Sequence, residues 1–406
     1  MKKITILFAV AMLVFACSSQ EKAQITIHTA QIEAFHNLMQ YVEEKAGGKL
    51  SCKGGDEIEL QIAFDRNSKD SKLNALIDSL LNSSVVYLRG DMKNITVRGF
   101  SEKAPIGKEA YKMAFTILPD FCVDMSARMP EIWVQYWNHE QREHVRDAII
   151  ELKTNMDEVV ESIKSNLTAF LPDDVDMNTE MNIHIIVDGY SGGFMYGNTI
   201  VMDLVWQVID GEFVDASNFI LTLTHEMHHI YYGKWFAERF ANKERNEGEK
   251  YLYIYQRSFI FEGVAQQLFE IGLLVKPEVV QMYANRELIA ELFDEWISLM
   301  RNMKGDSPQV AFSVFQNAWG DASIERLKRY WSGDPDSIEY AGRPTAIYYV
   351  SYNMYKSILE YGGHEKLKYV IENPDKLLSV FNELYTESML IPRIPDDIVK
   401  IWQDNF

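Results

Sequence analysis

The segment His225, Glu226, Met227, His228, His229 constrains this chain more than any other stretch of its length. It has the pattern HExxH. In an α-helix, residues four apart lie one turn apart on one face, so His225 and His229 would present two imidazoles together with the Glu226 carboxylate beside them. That arrangement suits a zinc ion and a carboxylate base, provided the segment is helical. The flanking sequence points that way. Asp215 or Ser217 can cap a helix start, and Phe219, Ile220, Leu223, Met227 and Ile230 recur at helical spacing. Leu221, His225, His229 and Tyr232 follow a second stripe. The expectation is a helix with one apolar face and one histidine face.

A short apolar strand, Asn182 to Asp188, precedes this helix. After it come the glycine-bearing stretch Gly189 to Gly193, a tight turn at Gly197 and Asn198, and a second strand from Thr199 to Leu204. Elsewhere the period is helical. Ile32, Phe35, Leu38, Met39 and Val42 mark a first helix ending near Gly47 and Gly48, with further helices over Leu73 to Leu81, Lys108 to Leu118, Glu131 to Leu152 and Met156 to Phe170. Helices fill the remainder, with interruptions at Gly305 to Pro308, Gly333 to Pro335, Gly342 to Pro344 and Asn373 to Asp375. The fold class is therefore α+β and mostly helical, with a small β-sheet before the HExxH helix. Residues 25–175 form an N-terminal helical region, 176–290 the core around the motif, and 291–406 a C-terminal helical region that completes the cleft.

A catalytic zinc with two histidines takes a third protein ligand and leaves one position for water. The metzincin pattern would place glycine at position 232 and histidine at 235, where this chain has Tyr232 and Trp235. A glutamate on a later helix is the other common solution. The candidate is Glu262, within Phe261, Glu262, Gly263, Val264, Ala265, Gln266, Gln267, where the small Gly263 and Ala265 would let this helix pack close to the first. The alternative for Glu262 is an exposed helix glutamate.

With these residues in place, the chain resembles the gluzincins, zinc peptidases whose HExxH helix is followed by a glutamate ligand in an EGxA-like segment. The resemblance covers Asn182 to Ile271. More loosely it extends through Gly342, Arg343, Pro344, the run Tyr348 to Met354, and Gly362 with Gly363. Together these are similar to zinc-dependent peptidases that are lipoproteins of Bacteroides-type bacteria, in which a glycine commonly stands where this chain has Ser351. The thermolysin branch would place an aspartate at 266, where this chain has Gln266. The resemblance implies a gluzincin-like core holding one Zn2+ per chain on His225, His229 and Glu262, with Glu226 as the base that deprotonates a zinc-polarised water and returns the proton to the leaving amine. It also implies a tyrosine donor to the oxyanion, with Tyr348 first and Tyr349 and Tyr352 behind it, although tyrosines at helical spacing also serve as core. The strand Thr199 to Leu204 is similar to the gluzincin edge strand that pairs with an extended peptide substrate.

The N-terminus bears on location. Lys2 and Lys3 precede an apolar run from Ile4 to Phe15, too short for a stable span and read as a signal peptide over residues 1–16. Val14, Phe15, Ala16, Cys17 resembles a bacterial lipobox with a bulky Phe15. Cys17 would then carry a lipid, residues 17–24 would be a tether, and the protein would sit in the bacterial cell envelope, at the outer membrane. Ordinary cleavage after Ala16 is the alternative. Loss of Lys2 and Lys3 takes the formal charge from −19 to −21, which disfavours nucleic acid and basic-patch membrane binding. Cys52 and Cys122 are free to pair in an oxidising compartment or to stay buried thiols.

Other histidines carry less. His228 reads as a neighbour of the site or as exposed. His139, Glu140 and His144 imitate the motif with one residue too many, which on a helix turns the two rings roughly 140° apart. His28, His36, His184 and His364 stand alone. A rival reading is a lipoprotein that binds peptides or glycans without catalysis, with zinc structural or absent.

Overall fold

The structure, a computed structural model, describes residues 25–46, a few positions between 71 and 79, and then 139–186, 193–203, 208–209, 212–213, 216–268, 277–305, 329–330 and 345–406. Cys17, Cys52 and Cys122, the expected helix Lys108 to Leu118, most of the one over Leu73 to Leu81, the first residues (131–138) of the one over Glu131 to Leu152, and the interruptions at 333–335 and 342–344 lie outside the described residues.

Four short strands form one sheet in the order β1, β2, β4, β3. Strand β1 (Ile25–His28) runs parallel to β2 (Met181–Ile186), which runs parallel to β4 (Thr199–Asp203); β3 (Gly193–Tyr196) returns antiparallel on the outer edge of β4. Ile183, Ile185, Ile200 and Met202 are fully buried, as expected of inner strands covered by helices. The turn at Gly197 and Asn198 joins β3 to β4 as a two-residue hairpin. Gly197 has φ +57°, a left-handed conformation that residues with a Cβ rarely adopt. Two expectations change here. The N-terminal region, read as helical, also contributes an edge strand. The strand from Thr199 is flanked on both sides, so the outer strand of the described sheet beside the motif helix is β3. A small hairpin of β5 (Val208–Ile209) and β6 (Glu212–Phe213) follows.

The described helices are α1 (Ala30–Ala46), α2 (His139–Thr154), α3 (Met156–Leu167), α4 (Ala216–Phe240), α5 (Glu247–Ala265), α6 (Pro277–Tyr283), α7 (Arg286–Gly305), α8 (Ala346–Glu372), α9 (Leu377–Leu384) and α10 (Asp396–Asn405). Helix α4 carries the HExxH motif and packs on β3 and β4. Its expected stripes are largely buried, Phe219, Leu223, Met227 and Ile230 on one and His229 and Tyr232 on the other, with Ile220, Leu221 and His225 half-buried. The second stripe is covered by α5 and α8. Tyr232 donates its hydroxyl to the Ile371 carbonyl at 2.7 Å, and the Trp235 indole donates to Asp174 at 2.7 Å, so the two positions that break the metzincin pattern anchor α4 to its surroundings.

Helix α5 starts with a capping box, the Asn246 side chain and the Glu249 backbone and carboxylate satisfying each other. It packs along α8. A Cβ on Gly263 would come within 2.5 Å of the Tyr355 ring and 2.9 Å of Ser351 Cβ, so the small pair Gly263 and Ser351 sets how closely α5 and α8 approach. This corrects the expected role of Gly263, which faces α8 and not the motif helix. The glycine between α4 and α5 is Gly233, whose missing Cβ would stand 3.4 Å from the Phe261 ring. At the other end of α5, buried Gln256 and Asn405 hydrogen-bond at 2.6 Å and tie α5 to α10. Helix α8 is broken at Gly363, which has φ +71° and ψ −178°.

Candidate active site

Helix periodicity on α4 and the crossing of α5 over it bring three donor groups to one point. His225 Nε2 and His229 Nε2 lie 2.9 Å apart. Glu262 on α5 sets Oε2 at 3.3 Å from His225 Nε2 and Oε1 at 3.5 Å from His229 Nε2. All three donor atoms fall within 4.8 Å of one another. Zinc bonded tetrahedrally at about 2.0–2.1 Å has donor-to-donor edges of roughly 3.3 Å, so the carboxylate distances match such a site and the nitrogen pair is slightly tight for one. Glu262 Oε2 is buried and has no hydrogen-bond geometry to any described group. A carboxylate oxygen left bare beside two imidazole nitrogens fits a metal ion better than a hydrogen-bonded cluster.

The two carboxylates differ in kind. Burial pushes Glu226 up to about 7, with Glu262 adding to the rise and His225 opposing it. Burial also acts to raise Glu262, but the His229 and His225 imidazoles outweigh it and hold the carboxyl well below its ordinary range. One carboxylate is poised to exchange a proton near neutral pH while the other stays ionised, the separation expected of a base beside a ligand. Strand β3 makes room for the base. A Cβ on Gly193 would stand 3.4 Å from Glu226 Cγ and 2.9 Å from Thr222 Cγ2, so the edge strand begins against the Glu226 side chain only because that residue is glycine.

These residues open on a cleft of about 760 Å³ whose walls include Gly193, Met195, Asn198, Phe261 and Tyr348. Tyr348, on the first turn of α8, lines the same cleft as Glu226 and Glu262, and its hydroxyl pKa is raised first by the Glu262 carboxylate, then by burial, then by Glu226. The other two tyrosine candidates point elsewhere. Tyr349 is buried and stacks on Tyr283 at 3.9 Å, and Tyr352 meets the edge of the same ring at 5.2 Å.

His228 is fully buried, with Nε2–H donating to the Phe170 carbonyl at 3.2 Å. Of its two readings, neighbour of the site or exposed, the second fails, because α3 and the turn after it cover that face of α4. His28 and His184, read as isolated, stack at 4.2 Å across β1 and β2. His36 is buried and His364 packs edge-on to Phe170. Gln266 is buried one turn past Glu262, and its carbonyl oxygen has no donor among the described residues. The side chains of His139, Glu140 and His144 lie outside the described ones. Sequence reasoning missed Gly193, Phe261 and Arg257 as parts of the cleft. A lone glycine at a strand start and a helical Arg257–Phe261 spacing were the available signals, but the direction they face depends on how α5 crosses α4.

Two imidazoles, one ionised carboxylate and a buried base opening on a common cleft are the equipment of a zinc hydrolase as a class. The chain belongs to the family described as "Putative zinc dependent peptidase (DUF5700)", whose signature matches residues 83–389. No curated protein and no solved structure matches it.

Proposed function

We propose that the protein is a gluzincin-type peptidase that holds one zinc ion on His225, His229 and Glu262, uses Glu226 as general base and Tyr348 as oxyanion donor, and is tethered to the bacterial cell envelope by a lipid on Cys17. The convergence of the three donor atoms within 4.8 Å supports this reading most directly. When bound, zinc supplies Lewis acidity, polarising a water and the substrate carbonyl. Glu226 accepts the proton from the attacking water, and its carboxyl returns that proton to the leaving amine. Tyr348 donates its hydroxyl to the oxygen that gains charge as the carbonyl carbon becomes tetrahedral. A tyrosine hydroxyl ordinarily titrates at about 10, so the proton to be donated is present at neutral pH. Strand β3, the outer strand of the described sheet, would offer backbone groups to an extended peptide, which would lie across the cleft with its scissile bond over the His225 and His229 side chains.

Purified protein lacking residues 1 to 17 is expected to carry about one zinc per chain, measured by elemental analysis. Glu226→Gln should keep that zinc and lose about 10²- to 10⁴-fold in cleavage of a mixed peptide library. A preparation that neither contains nor can be reconstituted with metal sinks the proposal, as does cleavage that survives in Glu226→Gln. The mass of the N-terminal peptide separates lipidated Cys17 from simple cleavage after Ala16.

A further inference from the structure

Among the described residues the cleft carries two basic side chains, Lys234 and Arg257, and only the first holds a carboxylate. Lys234, one turn beyond His229 on α4, holds Asp176 at 3.1 Å and reaches Thr179 at 3.5 Å. Arg257 on α5 is exposed and makes no ion pair or hydrogen bond among the described residues. That sets it apart from Arg239, Arg301, Arg329 and Arg393, each of which holds a carboxylate, and from Arg245 and Arg286, which hold backbone carbonyls. In a chain of formal charge −19, a guanidinium on this cleft with no carboxylate partner among the described residues runs against the prevailing sign.

Its one described ring contact is on the cleft wall. The Arg257 guanidinium lies over the Phe261 ring at 5.4 Å, and Phe261 in turn stacks on His229 with ring centres 6.1 Å apart at 18°. The Arg257 side chain thus stands two stacking steps from the donor cluster, on the cleft wall that includes Ser258 and Phe261. An arginine laid on an aromatic face keeps its planar edge free, and that edge matches a carboxylate in a two-point contact.

We propose that Arg257 is a specificity-determining residue that selects peptides bearing a carboxylate on one side of the scissile bond, from an acidic side chain or from the peptide's own C-terminus. The inference rests on the peptidase reading above. An extended peptide rises about 3.3 Å per residue, so the selected carboxylate belongs within about three residues of the bond.

The test uses matched peptides that differ only as Glu against Gln at each position near the cleaved bond, or as free acid against amide at the C-terminus. Wild type is expected to favour the carboxylate member of a pair by about 5- to 20-fold in kcat/KM, less at high salt. The arm showing the preference identifies its source. Arg257→Gln should bring the ratio close to one, Arg257→Lys should restore part of it, and Arg257→Glu should turn it toward Lys-bearing peptides. The same pairs are then titrated by fluorescence anisotropy against zinc-loaded Glu226→Gln protein, with and without Arg257→Gln, so that preference is read without turnover. Cleavage with no carboxylate preference, or a preference that survives Arg257→Gln, overturns the assignment and leaves the peptidase reading standing. No cleavage by wild type, with Arg257-dependent selective binding, overturns the peptidase reading and leaves the assignment standing. No binding of any peptide overturns both.

Discussion

His228 and His229 are adjacent on one helix and chemically identical, yet they face different environments. His229 turns toward the cleft, with Nε2 beside His225 and Glu262 and its ring flanked by Phe261. His228 turns toward α3 and the turn after it, fully buried, with one nitrogen committed to the Phe170 carbonyl and its ring near Tyr232. A step of 100° around α4 separates a group whose Nε2 faces the cleft from one whose Nε2 is bonded inside the fold. The same division runs through α8, where Tyr348 lies at the cleft and Tyr349, the next residue, is stacked into the core on Tyr283. Residue type nominates a function, and the face on which the residue falls decides it.

The largest expected break in this comparison is at the donors. His225→Ala, His229→Ala or Glu262→Ala should each lower zinc content from about one per chain to near zero after dialysis against a weak chelator, with hydrolysis falling to background. His228→Asn should keep its zinc in the same assay and lose thermal stability instead, since a shorter side chain leaves space in a packed interior and strains or loses the bond to Phe170. Loss of zinc in His228→Asn alongside retention in His229→Ala would reverse the assignment of the two faces.

A smaller effect is expected on α8. Tyr348→Phe removes only a hydroxyl, and if that hydroxyl meets developing charge, kcat should fall by about 10- to 100-fold with KM and zinc content little changed. Tyr349→Phe should leave kcat within about twofold, because its ring stays stacked on Tyr283. Equal losses in the two variants would mean that the hydroxyls act through packing and not through contact with substrate.

What could be read from the sequence follows the range of the forces involved. The motif helix was legible because its evidence is local: four-residue spacing and an apolar stripe over Phe219 to Ile230. Glu262 was legible by chemistry, since the metzincin positions hold Tyr232 and Trp235 and a small-residue segment followed at a suitable distance. The reason given for its placement was half right. Gly263 does permit a close helix crossing, but with Ser351 and Tyr355 on α8, and the contact between α4 and α5 runs through Gly233 and Phe261. Which of two helices a small residue faces is a tertiary fact. Strands β1 and β3 were missed for a related reason: each is four residues long, and such a strand is defined by the neighbour it pairs with more than by its own sequence. Arg257 was invisible because nothing in the local sequence states that its side of α5 borders the cleft.

The smallest expected effect sharpens the comparison by making His228 titrate. Burial lowers its pKa well below the ordinary histidine value of 6.5, with His229 and His225 pushing in the same direction and the Phe170 carbonyl opposing. Nδ1 has no hydrogen-bond partner among the described residues, so a second proton would place an unsatisfied N–H in the interior. The sign then follows. With the folded pKa depressed, the unfolded chain binds the extra proton first, so the stability tied to neutral His228 is present above pH 6.5 and lost as pH falls toward the folded value. Bound zinc adds positive charge nearby and pushes the same way, so the direction holds with and without metal. Denaturant unfolding of wild type between pH 7 and pH 5 should show stability falling with up to about one proton's share of slope from this residue, about 1.4 kcal/mol per pH unit. His228→Gln, whose amide can donate to Phe170 but cannot titrate, should show a shallower slope even where it is less stable at pH 7. An unchanged slope would mean that His228 takes up its proton without penalty. The face of α4 toward Phe170 would then be open to water, and the contrast with His229 would rest on the metal alone.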